Sequence, residues 1–483
     1  MNKEKHSKKK VLPTGEDLGG AVLIIGAGLC GSLLALRLAQ RGYQVNLYES
    51  RPDLRKVDIS AGRSINLALS DRGLKALRLA GVEEKAKKVC IPMYGRLIHD
   101  TKGNTFASNY SGREGEYINS VSRQDLNALL LDDLEAFDNV SMHFNSKCTS
   151  VDIENTVAHF KSYTTKEEFS VDADVIFGTD GAGSVLRKSY YLEKKFLFSY
   201  SQEYLTHGYK ELEIPADKVG NHQISKDHLH IWPRGDYMLI ALPNLDGSFT
   251  VTLFLSYEEG MYNFKNLTTE EKVTEFFESQ FPDALALIPS IKDEFFNNPT
   301  GALGTVKCSP WMYQNKTILM GDAAHAIVPF YGQGMNASFE DVTVFDAILN
   351  EFEGNWEAVF KAYQTKRKKD TDAIADLAID NYYEMRDHVA NPLFKQKRKI
   401  EMLLEKNFPT EYFSKYAMVT FNEDIGYAEA MQKGRAQDKA LLNLIAENRI
   451  DIEADAKESL QSVLKSVQQE TNAILQEDKI AGL

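Results

Sequence analysis

Short apolar runs alternate with helical repeats at the start of the chain. The run AVLIIG is fully apolar, which is typical of a buried parallel strand. The next segment places Leu29, Leu33 and Leu36 at helical spacing and ends at Gly42, after which QVNLYES predicts a second strand. We therefore expect residues 21–50 to form a strand–helix–strand unit with its glycines at the first turn.

Two further apolar runs, at 173–181 and 316–325, contain an Asp–Gly or Gly–Asp pair after the apolar residues and predict additional strands of the same sheet. The segment 237–257 differs, because two strand-like runs flank Asp246 and Gly247, and apolar residues alternate with threonines in the second run. That pattern is typical of an antiparallel hairpin, so we expect a second domain inserted into the first.

Beyond about residue 340 the pattern is helical. The last helix is predicted to bury one apolar stripe against the protein, formed by Leu460, Val463, Leu464 and Val467. The fold class is therefore α/β, with a Rossmann-like domain, an inserted antiparallel-sheet domain and a helical C-terminal region. The predicted boundaries are a disordered tail at 1–18, a discontinuous nucleotide-binding domain at 19–190 and 300–375, a substrate domain at 191–299 with strands near 91–112, and helices at 376–483.

Charge and cysteine usage narrow the class of function. The 483 residues include 56 Lys and Arg against 69 Asp and Glu, a net charge of −13, which repels nucleic acid and anionic membranes. Four cysteines lie far apart without a CxxC pair, which disfavours zinc and suits a reducing compartment. We expect a cytoplasmic protein that acts on small molecules, as a monomer or homodimer, with no nucleic acid, metal or membrane partner.

The N-terminus imitates a secretory signal. A basic run at 3–10 precedes the uncharged stretch 21–36, but Glu16 and Asp17 separate them and Leu29 stands where cleavage needs a small residue. The stretch is also shorter than the roughly 20 residues of a membrane span. We therefore predict neither export nor anchoring, and the charged residues after Lys457 extend that expectation to the C-terminus.

The glycine motif Gly26-x-Gly28-x-x-Gly31 stands between a predicted strand and helix, which is the context of dinucleotide binding. The three glycines permit a tight turn, close approach of a pyrophosphate, and close packing of the helix on the strand. Glu49 follows 23 residues after Gly26, where an acidic residue would bind a ribose. The alternative is a glycine-rich turn without a ligand, and the motif alone does not separate NAD from FAD.

Two distant segments favour FAD. The strings GTDGAGS at 178–184 and GDAAHAIVPFYGQGMN at 321–336 resemble the Asp–Gly and Gly–Asp motifs of the flavoprotein aromatic hydroxylases, in which the second Asp, here Asp322, holds the ribose and ribityl chain. Gly332 to Gly334 can open a helix whose N-terminus favours negative charge on the flavin pyrimidine. The alternative for Asp322 is a helix cap or turn residue. A second glycine motif is missing from the sequence, so a nicotinamide cofactor lacks a Rossmann domain of its own.

A narrower resemblance covers residues 20 to about 435. The strings RSINLALSDRG, IPMYGRLIHD, HGYKEL, HIWPRGDYMLIALPNLDGSFTVTLF and YAMVTF are similar to those of the kynurenine 3-monooxygenases. The resemblance implies a para-hydroxybenzoate-hydroxylase-like fold, non-covalent FAD, and NADPH as co-substrate. It also implies hydroxylation of L-kynurenine to 3-hydroxy-L-kynurenine through a flavin C4a-hydroperoxide, with no acid–base side chain, because the cofactor carries the chemistry.

The resemblance also implies site residues. Arg96 and Tyr110 are expected to anchor the substrate carboxylate, which suits a planar guanidinium fork and a phenol donor. The remaining pocket residues implied are Asn381, Glu384, Tyr416, Phe330 and Tyr331, the last at a position where some relatives have His. The implied FAD contacts are Gly26, Gly28, Cys30, Gly31, Tyr48, Glu49, Ser50, Arg51, Ala68, Arg123, Cys148, Asp180, Asp322, Gly334, Met335 and Asn336, with Cys30 and Cys148 contributing main chain.

Alternatives stay open at the level of the residues. Arg96 could be a surface ion-pair residue and Tyr416 an ordinary core tyrosine. The protein could instead hydroxylate another aromatic acid, or serve as a flavin reductase or halogenase, although Trp232, Trp311 and Trp356 are isolated and form no Trp-x-Trp motif. A non-catalytic protein that uses the dinucleotide fold to bind a partner would be colourless when purified.

Overall fold

The computed structural model describes residues 20–57, 66–352, 354–384, 392–450 and 456–481. The predicted tail at 1–18 lies outside these ranges. The strands in chain order are β1 (Ala21–Ile25), β2 (Gln44–Tyr48), β3 (Asn66–Leu69), β4 (Cys90–Met93), β5 (Gly95–His99), β6 (Thr105–Asn109), β7 (Ile118–Ser122), β8 (Val140–His143), β9 (Ser146–Asp152), β10 (Val157–Ser162), β11 (Glu168–Asp172), β12 (Val175–Gly178), β13 (Ser199–Ile214), β14 (His228–Pro233), β15 (Met238–Pro243), β16 (Phe249–Ser256), β17 (Gly301–Ser309), β18 (Met312–Tyr313) and β19 (Thr317–Leu319).

The helices are α1 (Leu29–Gln40), α2 (Asp71–Leu79), α3 (Glu83–Lys87), α4 (Arg123–Leu134), α5 (Val185–Leu192), α6 (Glu270–Gln280), α7 (Pro282–Leu285), α8 (Ile291–Asn297), α9 (Asp322–His325), α10 (Gly334–Glu351), α11 (Trp356–Tyr383), α12 (Pro392–Asn407), α13 (Lys415–Thr420), α14 (Tyr427–Ala446) and α15 (Lys457–Ala481). A 3-10 turn, Pro329–Tyr331, precedes α10.

A six-stranded sheet forms the first layer, in the order β18-β19-β12-β1-β2-β8. Its central strand β1 runs parallel to β2 and β12 and is buried, which explains its continuous apolar run. The strands predicted in 173–181 and 316–325 are β12 and β19, and both join this sheet as expected. Because Ile25 pairs with both Tyr48 and Gly178, the carboxyl ends of three strands meet at the glycine turn that follows β1.

A seven-stranded sheet forms the second layer, in the order β17-β13-β16-β15-β14-β5-β6. The predicted hairpin is β15 and β16, which pair antiparallel from Met238 and Phe254 to Pro243 and Phe249. The early strands β5 and β6 extend the same sheet through the parallel pairing of β5 with β14. The sheet therefore combines segments that lie more than a hundred residues apart.

One register row crosses this second sheet. Its members, from β5 to β13, are Arg96, Leu229, Leu242, Thr250 and Glu213, where Leu229 and Leu242 stand one residue beyond the last β14–β15 pair, His230 with Ala241. The neighbouring row contains Ile98, Ile231, Ile240, Thr252 and Glu211. Since residues two apart in a strand share a face, all ten side chains belong to one face of the sheet, which we call the inner face.

The C-terminal helices pack on one another and on the inner face. The α15 helix lies against α14 and α12, and Leu460, Val463, Leu464 and Val467 are buried as predicted. The residues around α13 contact the inner face through Tyr416 and Phe421, which pack with Tyr110. Within the described parts of the chain, every helix is too short or too polar to cross a membrane.

Candidate active site

Two glycines of the turn after β1 are required by its geometry. Gly26 has a φ of +103°, and a Cβ there would lie 2.6 Å from the Thr179 carbonyl oxygen. A Cβ on Gly31 would lie 2.0 Å from the Gly26 carbonyl oxygen. Gly28 is different, because its φ is −72° and a Cβ would meet no atom within 4 Å. The fold requires glycine at Gly26 and Gly31, whereas the space beside Gly28 is open to a ligand.

The N-terminus of α1 faces this open space. Gly28 is its N-cap and provides no side-chain hydrogen bond, and the first turn holds no acidic residue. The amides of Leu29, Cys30 and Gly31 therefore have no capping side chain, which matches a site for phosphate at a helix N-terminus. The Cys30 thiol is buried and packs against Gly321, so Cys30 is available to a ligand through its main chain.

Glu49 places a charged carboxylate beside the same turn. Its Oε2 accepts a hydrogen bond from the Ala27 amide at 3.0 Å, and its Oε1 accepts from Ser50 Oγ at 3.1 Å and forms an ion pair with Arg51 at 2.9 Å. Burial acts to raise the pKa of Glu49, but the hydrogen bonds and charge of Arg51 outweigh it and hold the pKa below its usual value. The carboxylate is thus ionised and lies beside the glycine turn.

Tyr48 and Cys148 turn their side chains into the core. The Tyr48 ring stacks on His143 and Phe160, with centroids 4.4 and 4.3 Å away. The Cys148 thiol is buried, and burial raises its pKa to about 12, so the thiol is unreactive. These two residues can reach a cofactor through their backbone alone.

Asp180 follows β12 and touches the glycine turn. Its Oδ2 accepts a hydrogen bond from the Val185 amide at 2.6 Å at the start of α5, while its buried Oδ1 has no hydrogen-bond partner among the described residues. Burial raises the pKa of this carboxyl above its usual value. An unpartnered oxygen beside Gly26 suits a hydroxyl donor of a bound dinucleotide.

A buried ionic network holds the Gly321–Asp322 turn. Asp341 Oδ2 accepts a hydrogen bond from the Gly321 amide at 2.9 Å and lies 2.5 Å from His325 Nε2, and its Oδ1 pairs with Arg367 Nε at 2.7 Å. Although burial opposes ionisation, His325 and Arg367 lower the pKa of Asp341 to about 2. Sequence reasoning missed Asp341 and Arg367; the visible signal was a pair of charged residues on otherwise apolar faces of α10 and α11.

The network leaves Asp322 free for a ligand. Its half-buried carboxylate makes no side-chain hydrogen bond to another described residue. The N-terminus of α10 begins nearby in sequence with Gly334 and Met335, again without a side-chain cap or an acidic residue in the first turn. Asn336 contributes differently, since its side chain accepts from the Ser70 amide at 3.0 Å and donates to the Ala68 carbonyl at 2.8 Å.

Arg123 and Ala68 connect the cofactor side with the inner face. Arg123 is the exposed first residue of α4, and its charge acts on Tyr209 and Glu211 of β13. Ala68 packs in the cluster that contains Tyr110, and its carbonyl accepts a hydrogen bond from the Asn336 side chain of α10. Residues implied for the cofactor and for the substrate therefore meet around β3.

Arg96 occupies an aromatic pocket on the inner face. Its guanidinium lies 4.6 Å from the centroid of the Tyr416 ring and 5.5 Å from that of Tyr110. It forms no ion pair with a carboxylate of the described residues, although Glu384 is close enough to act on it electrostatically. Burial acts to lower the pKa of Arg96, but Tyr416, Tyr110 and Glu384 outweigh it and the group stays charged. The surface ion-pair alternative for Arg96 is wrong in this fold.

Three tyrosines stack beside Arg96. The Tyr416 ring lies between Tyr110 and Tyr331, with centroids 5.7 and 5.6 Å away and nearly parallel planes. The Tyr110 side chain is fully buried, yet its hydroxyl has no hydrogen-bond partner among the described residues. Burial raises the pKa of Tyr110 well above its usual value, so the group is a neutral donor. A cation and an unpartnered hydroxyl thus lie in one pocket.

Asn381 supports the 3-10 turn that carries Phe330. Its Nδ2 donates to the Phe330 carbonyl at 2.7 Å, and the Phe330 ring packs on Phe254 and Tyr382 with centroids 5.0 and 4.5 Å away. The contact fixes the segment between Val328 and α10. Asn381 therefore holds the backbone of this pocket wall in place, whereas the Phe330 side chain supplies apolar surface.

Glu384 is the C-cap of α11, and its half-exposed side chain joins a set of charges that lies mostly below the surface. Lys415 Nζ lies 3.5 Å from Glu384 and 2.6 Å from Asp438, and Lys397 also pairs with Asp438 at 2.5 Å. Lys415 immediately precedes Tyr416, so this ionic set connects α11, α13 and α14 next to the aromatic pocket. Sequence reasoning missed Lys415, and its position beside a pocket tyrosine was the available signal.

Comparison with known proteins agrees with this geometry. Residues 20–378 match the family model described as an FAD binding domain. A kynurenine 3-monooxygenase of Myxococcus xanthus is 47% identical over 417 residues, covering 86% of this chain and 89% of the relative. That of Dictyostelium discoideum is 44% identical over 446 residues, covering 89% of this chain and 94% of the relative.

Solved structures share the fold. The tetrameric form of 2-methyl-3-hydroxypyridine-5-carboxylic acid oxygenase aligns with a TM-score of 0.62 at 20% identity, covering 80% of this chain and 98% of that one. The tetracycline destructase Tet(51) aligns with a TM-score of 0.57 at 18% identity, covering 81% and 97%. At this identity the likeness establishes the fold class alone, an α/β flavoprotein fold with an antiparallel sheet and a helical C-terminal region.

Proposed function

This chain belongs to the kynurenine 3-monooxygenase family of FAD-dependent monooxygenases, and from that premise we propose that it hydroxylates L-kynurenine to 3-hydroxy-L-kynurenine with NADPH and O2. The observation that carries the choice of substrate is the pairing of Arg96 with Tyr110. Tyr110 is buried and Arg96 is half-buried beside it, Arg96 has no carboxylate partner among the described residues, and the Tyr110 hydroxyl is unpartnered. A substrate carboxylate satisfies both groups at once.

The cofactor cleft fits FAD. The open space at Gly28, the uncapped amides of α1, the ionised Glu49 and the free carboxylate of Asp322 provide donors for phosphates and acceptors for hydroxyls. The N-terminus of α10 and the Ala68 segment would hold the ring end. When bound, FAD supplies the redox chemistry that activates O2 for transfer of one oxygen atom to the aromatic ring.

The side chains of the pocket orient the substrate and exclude water. Arg96 and Tyr110 fix the carboxylate, while the aromatic side chains of Tyr416, Tyr331 and Phe330 offer apolar surface for the aniline ring. Burial raises the pKa of Tyr331 well above its usual value, with Glu384 adding to the shift, so its hydroxyl stays protonated. We assign Arg96 and Tyr110 the role of positioning the substrate. We assign no proton-transfer step to any protein side chain.

The test is Arg96→Lys in the purified, FAD-containing protein. Lysine keeps the charge but loses the planar fork, so kynurenine should bind roughly ten- to a hundredfold more weakly, a loss of about 1.5–3 kcal/mol. FAD content should stay the same. Stopped-flow measurement of kynurenine-dependent flavin reduction by NADPH gives the concentration dependence.

Two controls make the result specific. A kynurenine analogue that lacks the carboxylate should bind the parent and the variant with nearly equal affinity, because the carboxylate contact is absent from both complexes. Other aromatic acids serve as competing substrates, and hydroxylation of one of them in preference to L-kynurenine would contradict the proposal. An unchanged concentration dependence in Arg96→Lys would show that the carboxylate binds elsewhere.

A further inference from the structure

The inner face carries opposite charges at its two ends. Arg96 and Glu213 belong to the same register row but are four strands apart, a backbone separation of roughly 19 Å at about 4.8 Å per strand. Leu229, Leu242 and Thr250 lie between them. Kynurenine is too short to span this distance, so the acidic end is not part of the pocket around Arg96.

Glu211 and Glu213 form the acidic end of the inner face, and Glu211 is the more buried of the two. Its residue exposure is 6%, and its Oε2 is inaccessible to solvent without a hydrogen-bond partner among the described residues. It belongs to the inner face with Thr252 and Ile240. A buried carboxylate that lacks a partner is costly, so its presence calls for a ligand or a chemical role.

Glu211 lines a cavity of about 320 Å³, near the lower end of the range for small-molecule pockets. The cavity also borders Glu213, Asp125 and Asp246, and the charge of Arg123 is the positive one that acts on Glu211. Two polar residues of the lining, Asn66 and Ser120, already donate to the Pro243 carbonyl, at 3.0 and 2.9 Å. The charged side chains of the lining are therefore all negative.

This chemistry selects a small organic cation. The described residues contain no group of three or more His, Cys, Asp or Glu side chains able to hold a metal ion. Polyanionic molecules such as NADPH are repelled by four carboxylates. The apolar residues Leu212, Leu245 and Ile91 complete the lining and suit an aromatic ring.

We propose that the cavity around Glu211 is a second binding site, separate from the Arg96 pocket, for an arylalkylamine, whose aliphatic ammonium group pairs with the Glu211 carboxylate. The proposed substrate also carries an aromatic ring and an ammonium group, but the acidic lining repels its carboxylate, so it should bind in this cavity more weakly than an amine without a carboxylate. Naming kynurenine as the occupant rests on the proposed function, whereas the existence of the site does not.

Benzylamine, an aromatic ring with a primary ammonium and no carboxylate, is the probe. Isothermal titration of the FAD-containing protein at pH 8 should show benzylamine binding, and Glu211→Gln should weaken it at least tenfold. Glu203→Gln is the matched control, because Glu203 is an exposed residue of the same strand β13. Benzyl alcohol, which lacks the charge, should bind the parent and Glu211→Gln equally. Arg96→Lys should bind benzylamine as the parent does.

The pH profile gives a second readout. Burial raises the pKa of Glu211 to about 7, while Arg123 acts in the opposite direction and Glu213, Asp125, Asp246 and Tyr209 surround the group. Because the ionised form binds a cation, benzylamine affinity should rise as the pH increases through about 7. In Glu211→Gln this rise should be absent.

Several outcomes would overturn the proposal. Benzylamine that binds Glu211→Gln as tightly as the parent, or that fails to bind the parent at millimolar concentration, would remove the site. Loss of FAD from Glu211→Gln would assign the cavity to the cofactor instead. Displacement of benzylamine by L-kynurenine in Arg96→Lys would identify the substrate as an occupant. If L-kynurenine does not displace benzylamine, the site belongs to another arylalkylamine. Neither result changes the Arg96 test of the proposed function.

Discussion

The cofactor cleft and the aromatic pocket are built in different ways. The cleft is formed mainly by backbone, at a glycine turn and two uncapped helix N-termini, and each of these features lies within one short segment of the chain. The pocket is formed by side chains from β5, the segment after β6, the 3-10 turn, α11 and α13, which are up to 320 residues apart, from Arg96 to Tyr416. The difference teaches that a site made of local backbone geometry is visible as a motif, whereas a site made of converging side chains depends on the whole fold.

The largest effect should come from Gly31→Ala, which is compared with a second single variant of the glycine turn, Gly28→Ala. In Gly31→Ala the new Cβ would lie 2.0 Å from the Gly26 carbonyl, so the turn must distort and both the fold and FAD binding should fail. In Gly28→Ala the Cβ meets no protein atom, so the FAD-free protein should unfold at the parent's temperature. Its FAD affinity should nevertheless fall, because the methyl group occupies the space for the ligand.

Thermal unfolding of the FAD-free proteins and FAD titration separate the two roles. Unchanged FAD affinity in Gly28→Ala would break the comparison, because the open space beside α1 would then not be the ligand's. A stable, FAD-binding Gly31→Ala protein would show that the turn can relax.

A smaller effect is expected at Asp341, where side chains support the backbone of the cleft. Asp341→Asn keeps the shape but removes the charge between His325 and Arg367, which should lower the free energy of unfolding by about 3–5 kcal/mol and weaken FAD binding. The pKa of Asp341 is lowered to about 2 in the folded state, below about 3.9 when unfolded. Its stabilisation is therefore complete above pH 4 to 5 and is lost as the pH falls towards 2.

Urea unfolding of the parent between pH 6 and pH 2.5 should show this loss, and Asp341→Asn should show a shallower dependence on pH. Asp322→Asn serves as the control, because that carboxylate has no side-chain hydrogen bond within the described protein. It should reduce FAD binding without changing the stability of the FAD-free protein. Equal losses of stability in both variants would contradict the assignment of Asp341 as the support.

The sequence predicted much of the fold because its patterns are local. The apolar runs identified β1, β12 and β19, and the alternation around Asp246 identified the hairpin β15–β16. The inner face could not be predicted from residue types, since its rows depend on the register of β5 with β14, which joins segments more than 130 residues apart. For the same reason Arg96 and Tyr416 were identified through resemblance, while Lys415, Asp341 and Glu211 were not singled out from the sequence.

The smallest effect, and the sharpest test of the pocket, is expected from Tyr110→Phe. The Tyr110 hydroxyl is buried without a partner among the described residues, so its removal should stabilise the substrate-free protein by about 1 kcal/mol. The same change removes a donor for the substrate carboxylate, so kynurenine should bind roughly tenfold more weakly. Tyr412→Phe is the matched control, because the Tyr412 hydroxyl is also buried and unpartnered but packs with α12 and α15. It should gain similar stability and leave substrate binding unchanged. If Tyr110→Phe lost stability, or if both variants bound kynurenine like the parent, the hydroxyl would be satisfied within the protein and the pocket would lack one of its two carboxylate contacts.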